Sequence, residues 1–375
     1  MHEDVFEQLE STLRSQGADA GFELAIARLR AERKYPLIFE AQLMRRRLSL
    51  GLPLLHSGPI SDLPAEHQAA YEAAVMEAAR EAGGLYLADG DIARAWPYFR
   101  AAGDAKPVAD AIEALAAGGG NEAVIQIALH EGVNPRKGFE LFLEQHGICS
   151  AISLASQYPD DAGRLEFLGI LVRALSRELA ASLKEAIAAA EGRAPETNRV
   201  AELIAGRDWL FAEARYYTEN SHLASLVQAS PQLQDRETLR LAWELAEYGK
   251  RLDPAYQYPS EAPFTETYAD YAMYLSGVLG LDADGAVAHF RKKIDDSVAG
   301  SAEVLVSLLS RMGRYREALE VSLQYLGGDG GRACPGALEL CQRAGDSERM
   351  RQLAREDGDL LGFVAGVLLE GGGRG

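Results

Sequence analysis

The 375-residue sequence predicts an all-α protein, and three observations carry that expectation. Ala, Leu, Glu and Arg dominate while Val, Ile and Thr are sparse, which favours helix over strand. Apolar residues recur at helical spacing, as in Phe6, Leu9 and Leu13, between breaks made by Gly and Pro. Finally, small residues at Gly83, Ala95 and Ala102 alternate with bulky Tyr86 and Phe99 around a turn at Gly90. That spacing suits two antiparallel helices whose backbones approach at the small residues while the aromatics fill the groove.

Residues 1–50 read as N-terminal helices broken at Gly17 and at Tyr35-Pro36. The Pro- and Gly-rich stretch from Gly51 to Pro64 reads as a loop, with Ser61 or Asp62 placed to cap the next helix. A helix pair then occupies 64–117, with Pro97 inside its second helix, where proline removes a backbone hydrogen bond and favours a kink. The central region, 120–262, is helical but irregular, punctuated by Asn134-Pro135, Gly147 and Tyr158-Pro159. Asn121 and Asp160 or Asp161 read as N-caps, and 162–191 holds the longest unbroken helical pattern. A Pro- and Tyr-rich connector follows from Asp253 to Pro263.

The C-terminal stretch, 263–370, repeats. Ala286 with Phe290, Ala318 with Ser322, and Met350 with Ala354 recur at intervals of 32 residues, and Gly313 and Gly345 precede Ala318 and Met350 by five. The tail 371–375 reads as disordered.

The stretch from Gly83 to Pro107 follows the pattern Gly-x2-Tyr-x3-Gly-x4-Ala-x3-Phe-x2-Ala-x4-Pro, and Arg311–Leu319 is a second, looser match. These segments resemble tetratricopeptide (TPR) repeats, and the resemblance covers about half the chain, 76–109 and 265–356. It implies a right-handed α-solenoid of antiparallel helix pairs, and a module that holds a peptide or protein segment in its groove.

Charge bears on the partner. With 38 Lys and Arg against 56 Asp and Glu the net charge is −18, which argues against nucleic acid. Three cysteines without a CxxC pair do not form a disulfide framework. An acidic N-terminus and the lack of a run of about 18 apolar residues predict neither signal peptide nor membrane span, hence a cytoplasmic protein.

No phosphate loop, GxSxG or HExxH pattern is present. The remaining candidates cluster in the central region. Glu219 and His222 stand three apart, a spacing that on one helix puts a carboxylate and an imidazole on one face. With His130 and His146, and Cys149 as a further soft ligand, they are the candidate ligands of a divalent metal. The stronger competing reading is a helix start capped by Asn220 or Ser221, with Glu219 solvated and His222 an ordinary first-turn residue. Aromatic residues crowd 209–274; Tyr216, Tyr217, Tyr256 and Tyr258 are the candidate binding tyrosines, and Tyr258 is also a candidate acid or hydrogen-bond donor. Tyr268, Tyr271 and Tyr274 recur every three residues, a stripe that more often marks inter-helix packing. Lys137, at a helix start where it opposes the dipole, is a candidate anion contact. His289 reads as a structural histidine.

These features leave three functional readings. The first is a binding module that holds a peptide, protein segment or small ligand in an aromatic-lined groove. The second is a metal-dependent enzyme of the hydrolase or oxygenase type. The third is a self-associating scaffold.

Overall fold

A computed structural model describes residues 2–55, 58–116, 118–295, 300–328, 330 and 334–371. Among the described residues all regular structure is helical, and no helix is long and apolar enough to cross a membrane. Of the predicted tail 371–375, Gly371 ends a helix instead, and 372–375 lie outside the described residues. The chain divides into two compact units, Met1–Gly147 and Ile148–Gly375.

In the first unit, α1 (His2–Gln16), α2 (Ala18–Ala31), α3 (Tyr35–Ser49), α4 (Ala65–Ala88), α5 (Ile92–Ala101) and α6 (Lys106–Glu113) each pack on the next. The breaks at Gly17 and before Tyr35 fall where the sequence puts them, and Pro36 sits in the first turn of α3, where its missing N–H is no loss. Neither Ser61 nor Asp62 caps α4: both lie in a separate 3-10 turn, and Pro64 precedes the helix without a side-chain cap. At the α4–α5 crossing a Cβ on Gly83 would lie 2.7 Å from the Phe99 ring, and Ala95 opposite is fully buried. Close approach at the small residues is therefore real. Helix α5 runs from Ile92 through Pro97 to Ala101 without a non-helical residue.

Asn121 caps α7 (Glu122–Ile125) by accepting the Val124 N–H, as expected. A π turn, Gln126–His130, follows. Helix α8 (Pro135–Gln157) is interrupted at Gly147 (φ 77°, ψ 171°), where one unit ends.

The second unit is built on α9 (Asp161–Glu191), whose 31 residues make it the longest helix, capped by Asp160 accepting the Gly163 N–H at 2.6 Å. Packed on it are α10 (Val200–Ile204), α11 (Asn220–Ala229) and α12 (Arg236–Gly249). Then come α13 (Thr267–Leu279), α14 (Ala283–Lys292), α15 (Ser301–Arg311), α16 (Tyr315–Tyr325), α17 (Ala337–Ala344), α18 (Ser347–Glu356) and α19 (Leu360–Gly371). From α12 to α19 each helix packs on its successor, and α13 also touches both α11 and α15, the packing of a helical repeat.

The 32-residue register governs this core. Ala286, Phe290, Ala318, Ser322, Met350 and Ala354 are all buried. Gly313 and Gly345 take positive φ (75° and 68°) in the corresponding turns, a conformation that glycine adopts without steric cost. A Cβ on Gly277 would lie 2.7 Å from that of Ala286, repeating the close approach seen at Gly83. Tyr268, Tyr271 and Tyr274 are core residues.

The fully buried Asp270 accepts from the Glu266 N–H (2.8 Å) and Lys293 Nζ (2.5 Å), with His289 Nε2 at 2.7 Å. His289 is structural, as its sequence context suggests. The last helix, α19, leaves Leu360, Leu361 and Leu368 exposed.

Candidate functional site

The structure places the candidate metal ligands in local roles. His130 is exposed at the end of the π turn, and the His146 ring packs at a tilt on Phe142 (centres 4.4 Å apart) with Nε2 3.3 Å from Glu122. Both lie in the first unit, whereas Glu219 and His222 lie in the second. Glu219 is not on the helix of His222. It is the extended N-cap of α11 (φ −64°, ψ 119°), and its carboxylate accepts from Ser221 N–H (3.5 Å) and Oγ–H (3.2 Å). The three-residue spacing therefore does not put the two side chains on one helical face. Cys149 is exposed, and among the described residues no group of three or more His, Cys, Asp or Glu is placed to hold a metal ion.

Of the candidate binding residues, Tyr216 and Tyr256 are brought together, edge to face at 5.1 Å. The Tyr217 N–H donates to the Tyr248 hydroxyl at 2.8 Å. Tyr258 keeps its ring partly in solvent while its carbonyl accepts from Thr267 Oγ1 at 2.5 Å. Lys137 lies 3.8 Å from Glu140, and Arg136 pairs with both Glu140 and Glu113. The basic pair that opposes the α8 dipole is thus neutralised by carboxylates of its own unit.

A groove of about 780 Å³ in the second unit has a different character. Its walls come from the turn after α11 (Pro231, Gln232, Gln234), from Arg236, from Tyr274 and Val278 on α13, from Ser307 and Arg311 on α15, and from Tyr315, Pro335 and Arg343. Three arginines thus line one groove, and among the described residues no Asp or Glu does.

Each guanidinium is held in place. Arg311, in the last turn of α15, donates to the Pro231 and Leu233 carbonyls (2.6 Å to the latter), and Arg236 donates to the Leu279 carbonyl at 2.8 Å. Arg343 pairs with Glu339 at 2.6 Å, with its guanidinium 6.0 Å from the Tyr315 ring centre. Among the described residues neither Arg236 nor Arg311 forms an ion pair, and their carbonyl bonds leave N–H donors on both for a ligand. Asp235, next to Arg236, is turned away to cap α12. The Thr238 hydroxyl, and then its N–H, hold that carboxyl below the usual carboxylate range.

Carboxylates and similar oxyanions are the groups whose geometry such guanidiniums match. Fixed planar guanidiniums bond such groups in pairs, and carbonyl contacts orient them before the ligand arrives. Tyr274 Oη lies 3.3 Å from Ser307 Oγ, and both residues line the groove together with apolar Leu239, Val278 and Leu279.

Comparison with family models, curated proteins and solved structures finds no significant match to the chain. The arginines were nonetheless foreshadowed in the sequence. Arg311 and Arg343 stand 32 residues apart, at the same register as Ala318 and Met350. In a stacked repeat, equivalent positions on successive units share a face. Arg236 precedes the periodic stretch, so no such signal marks it.

Proposed function

We propose that the protein is a TPR-like, right-handed α-solenoid whose second unit binds a partner segment in the arginine-lined groove. The close approaches at Gly83–Phe99 and Gly277–Ala286, and the 32-residue register of the buried core, support the TPR-like reading. One observation carries the binding reading: three arginines converge on a groove with no carboxylate lining among the described residues, in a chain of net charge −18. Residues placed only for solubility would follow the surface average, which here is acidic. A volume of about 780 Å³ lies in the range of ligand and peptide sites.

The segment bears a carboxylate, from Asp, Glu or a chain end, against Arg236, Arg311 and Arg343, with apolar side chains beside Val278 and Leu279. The odd cysteine count, with free thiols at Cys149 and Cys341, supports a cytoplasmic setting, and the acidic surface supports a protein partner over nucleic acid.

The test is fluorescence polarisation of the full-length protein with a labelled decapeptide that carries one central Glu, against the same peptide with Gln. Preference for the Glu peptide is expected, weakening about tenfold or more in an Arg236→Gln/Arg343→Gln variant and falling with salt. Equal binding of both peptides, or no effect of the double substitution, rejects the reading.

A further inference from the structure

A second cavity, of about 740 Å³, is lined by residues of α13 and α15, the helices that also line the arginine groove. Tyr271 lines the second cavity and Tyr274 the first, both on α13; Val304 and Ser307 divide in the same way on α15. Residues three apart are successive neighbours on one helical face, so the two linings follow one another along both helices. An extended segment laid along α13 and α15 would run through both, as along one trough.

Its two halves carry opposite charge. Glu261 and Glu303 line the second cavity, and among the described residues no Lys or Arg does. Phe264 stacks on Tyr271 there, with ring centres 4.1 Å apart and planes at 10°. An aromatic face beside carboxylates suits the alkyl stem and cationic head of Lys or Arg. Glu303 and Arg311 lie eight residues apart on the same helix, roughly 12 Å at 1.5 Å per residue. Glu303 in the first turn of α15 and Arg311 in the last also complement the helix dipole, so the fold tolerates both charges.

We infer that the trough selects a partner segment bearing a Lys or Arg and an Asp or Glu about four residues apart along an extended chain, at roughly 3.3 Å per residue. The cation lies against Glu261, Glu303 and the Phe264–Tyr271 stack; the anion meets Arg236 and Arg311. This inference rests on the binding function proposed above and adds the charge order and spacing of the occupant. It also resolves a conflict in that reading. A chain of net charge −18 repels a polyacidic ligand at long range, whereas a segment of balanced charge escapes that repulsion.

Three labelled peptides of equal length test it on the full-length protein: Lys and Glu at the matched spacing, Lys and Glu adjacent, and the matched peptide with Lys replaced by Gln. The matched peptide is expected to bind about tenfold tighter than either other. Glu303→Gln and Glu261→Gln are expected to reduce that advantage while leaving the Lys-free peptide unchanged, with helicity and melting confirming folded variants. If matched and adjacent peptides bind alike, or neither Glu substitution alters the preference, the inference falls. Binding of the Lys-free peptide that still depends on Arg236 and Arg343 would then leave the broader function standing. If no peptide binds, both fall.

Discussion

The Lys293 ammonium lies 2.5 Å from the carboxylate of Asp270, which is fully buried. Lys293 also donates to the Pro263 carbonyl at 3.0 Å, so this one pair ties α13, the end of α14 and the connector before α13 together. The connector supplies Glu261 and Phe264 to the trough, so the ion pair positions part of its wall.

Asp270→Ala removes the buried carboxylate shared by the Glu266 N–H, His289 and the partly exposed Lys293, and is expected to destabilise the second unit by about 2–4 kcal/mol. Urea unfolding checks this. A loss below about 1 kcal/mol, the range of exposed pairs, would show that the pair is not buried in solution.

Glycine substitutions separate packing from helix propensity. Gly83→Ala forces a methyl group onto the Phe99 ring and is expected to cost about 1–3 kcal/mol. A Cβ added at Gly84, its neighbour on the same helix, would meet nothing within 4 Å, so Gly84→Ala is expected to stabilise by up to about 1 kcal/mol. Opposite shifts in melting temperature confirm the α4–α5 crossing, and equal shifts refute it.

Arg311→Lys probes the anchor of the arginine groove. A single ammonium does not reproduce the planar fork that reaches both the Pro231 and Leu233 carbonyls. A stability loss of about 1–2 kcal/mol is expected, together with weaker binding of the Glu peptide. Unchanged stability and unchanged affinity would remove Arg311 from both roles.

Alkali is the fourth probe. Burial pushes the Cys341 thiol up to about 11, and burial also raises the Tyr248 and Tyr268 hydroxyls. Between about pH 9 and pH 11 the unfolded chain loses protons that the folded chain retains. The unfolded state then binds fewer protons, so stability falls as pH rises through this window. Denaturant midpoints measured from pH 8 to 11 are expected to decline, and Cys341→Ala is expected to flatten the part of the slope below pH 10. A midpoint that stays constant or rises contradicts the burial of these groups.

Much of the fold was legible because it rests on local rules. Gly17, Pro36, Asn121 and Asp160 mark helix boundaries through backbone geometry and capping within a few residues, and each does so in the structure. Misreadings arose where a local rule depended on an exact boundary. Ser61 and Asp62 fell in a separate turn, and Glu219 fell one residue before the helix that it was expected to share with His222. A shift of one position turns a proposed ligand into a cap.

The arginine groove was not singled out from the sequence. Its periodic members, Arg311 and Arg343, share the 32-residue register, but a period identifies equivalent positions without saying which face they line. The tyrosines at 216, 256 and 258 drew notice because loops tend to carry function, yet the neighbouring connector residues Pro259 to Phe264 form the wall of the second cavity.

The sequence by itself determined the all-helical class, the helix pairs near Gly83 and after Thr267, and the register that buries Ala286, Ala318 and Met350. These follow from composition, turn chemistry and period, which act over a few turns of helix. Tertiary structure alone decided that Arg236, 75 residues before Arg311 in the chain, lines the same groove. Such convergence depends on how far each helix pair rotates as it stacks on the last, a property of summed side-chain packing that no local spacing encodes.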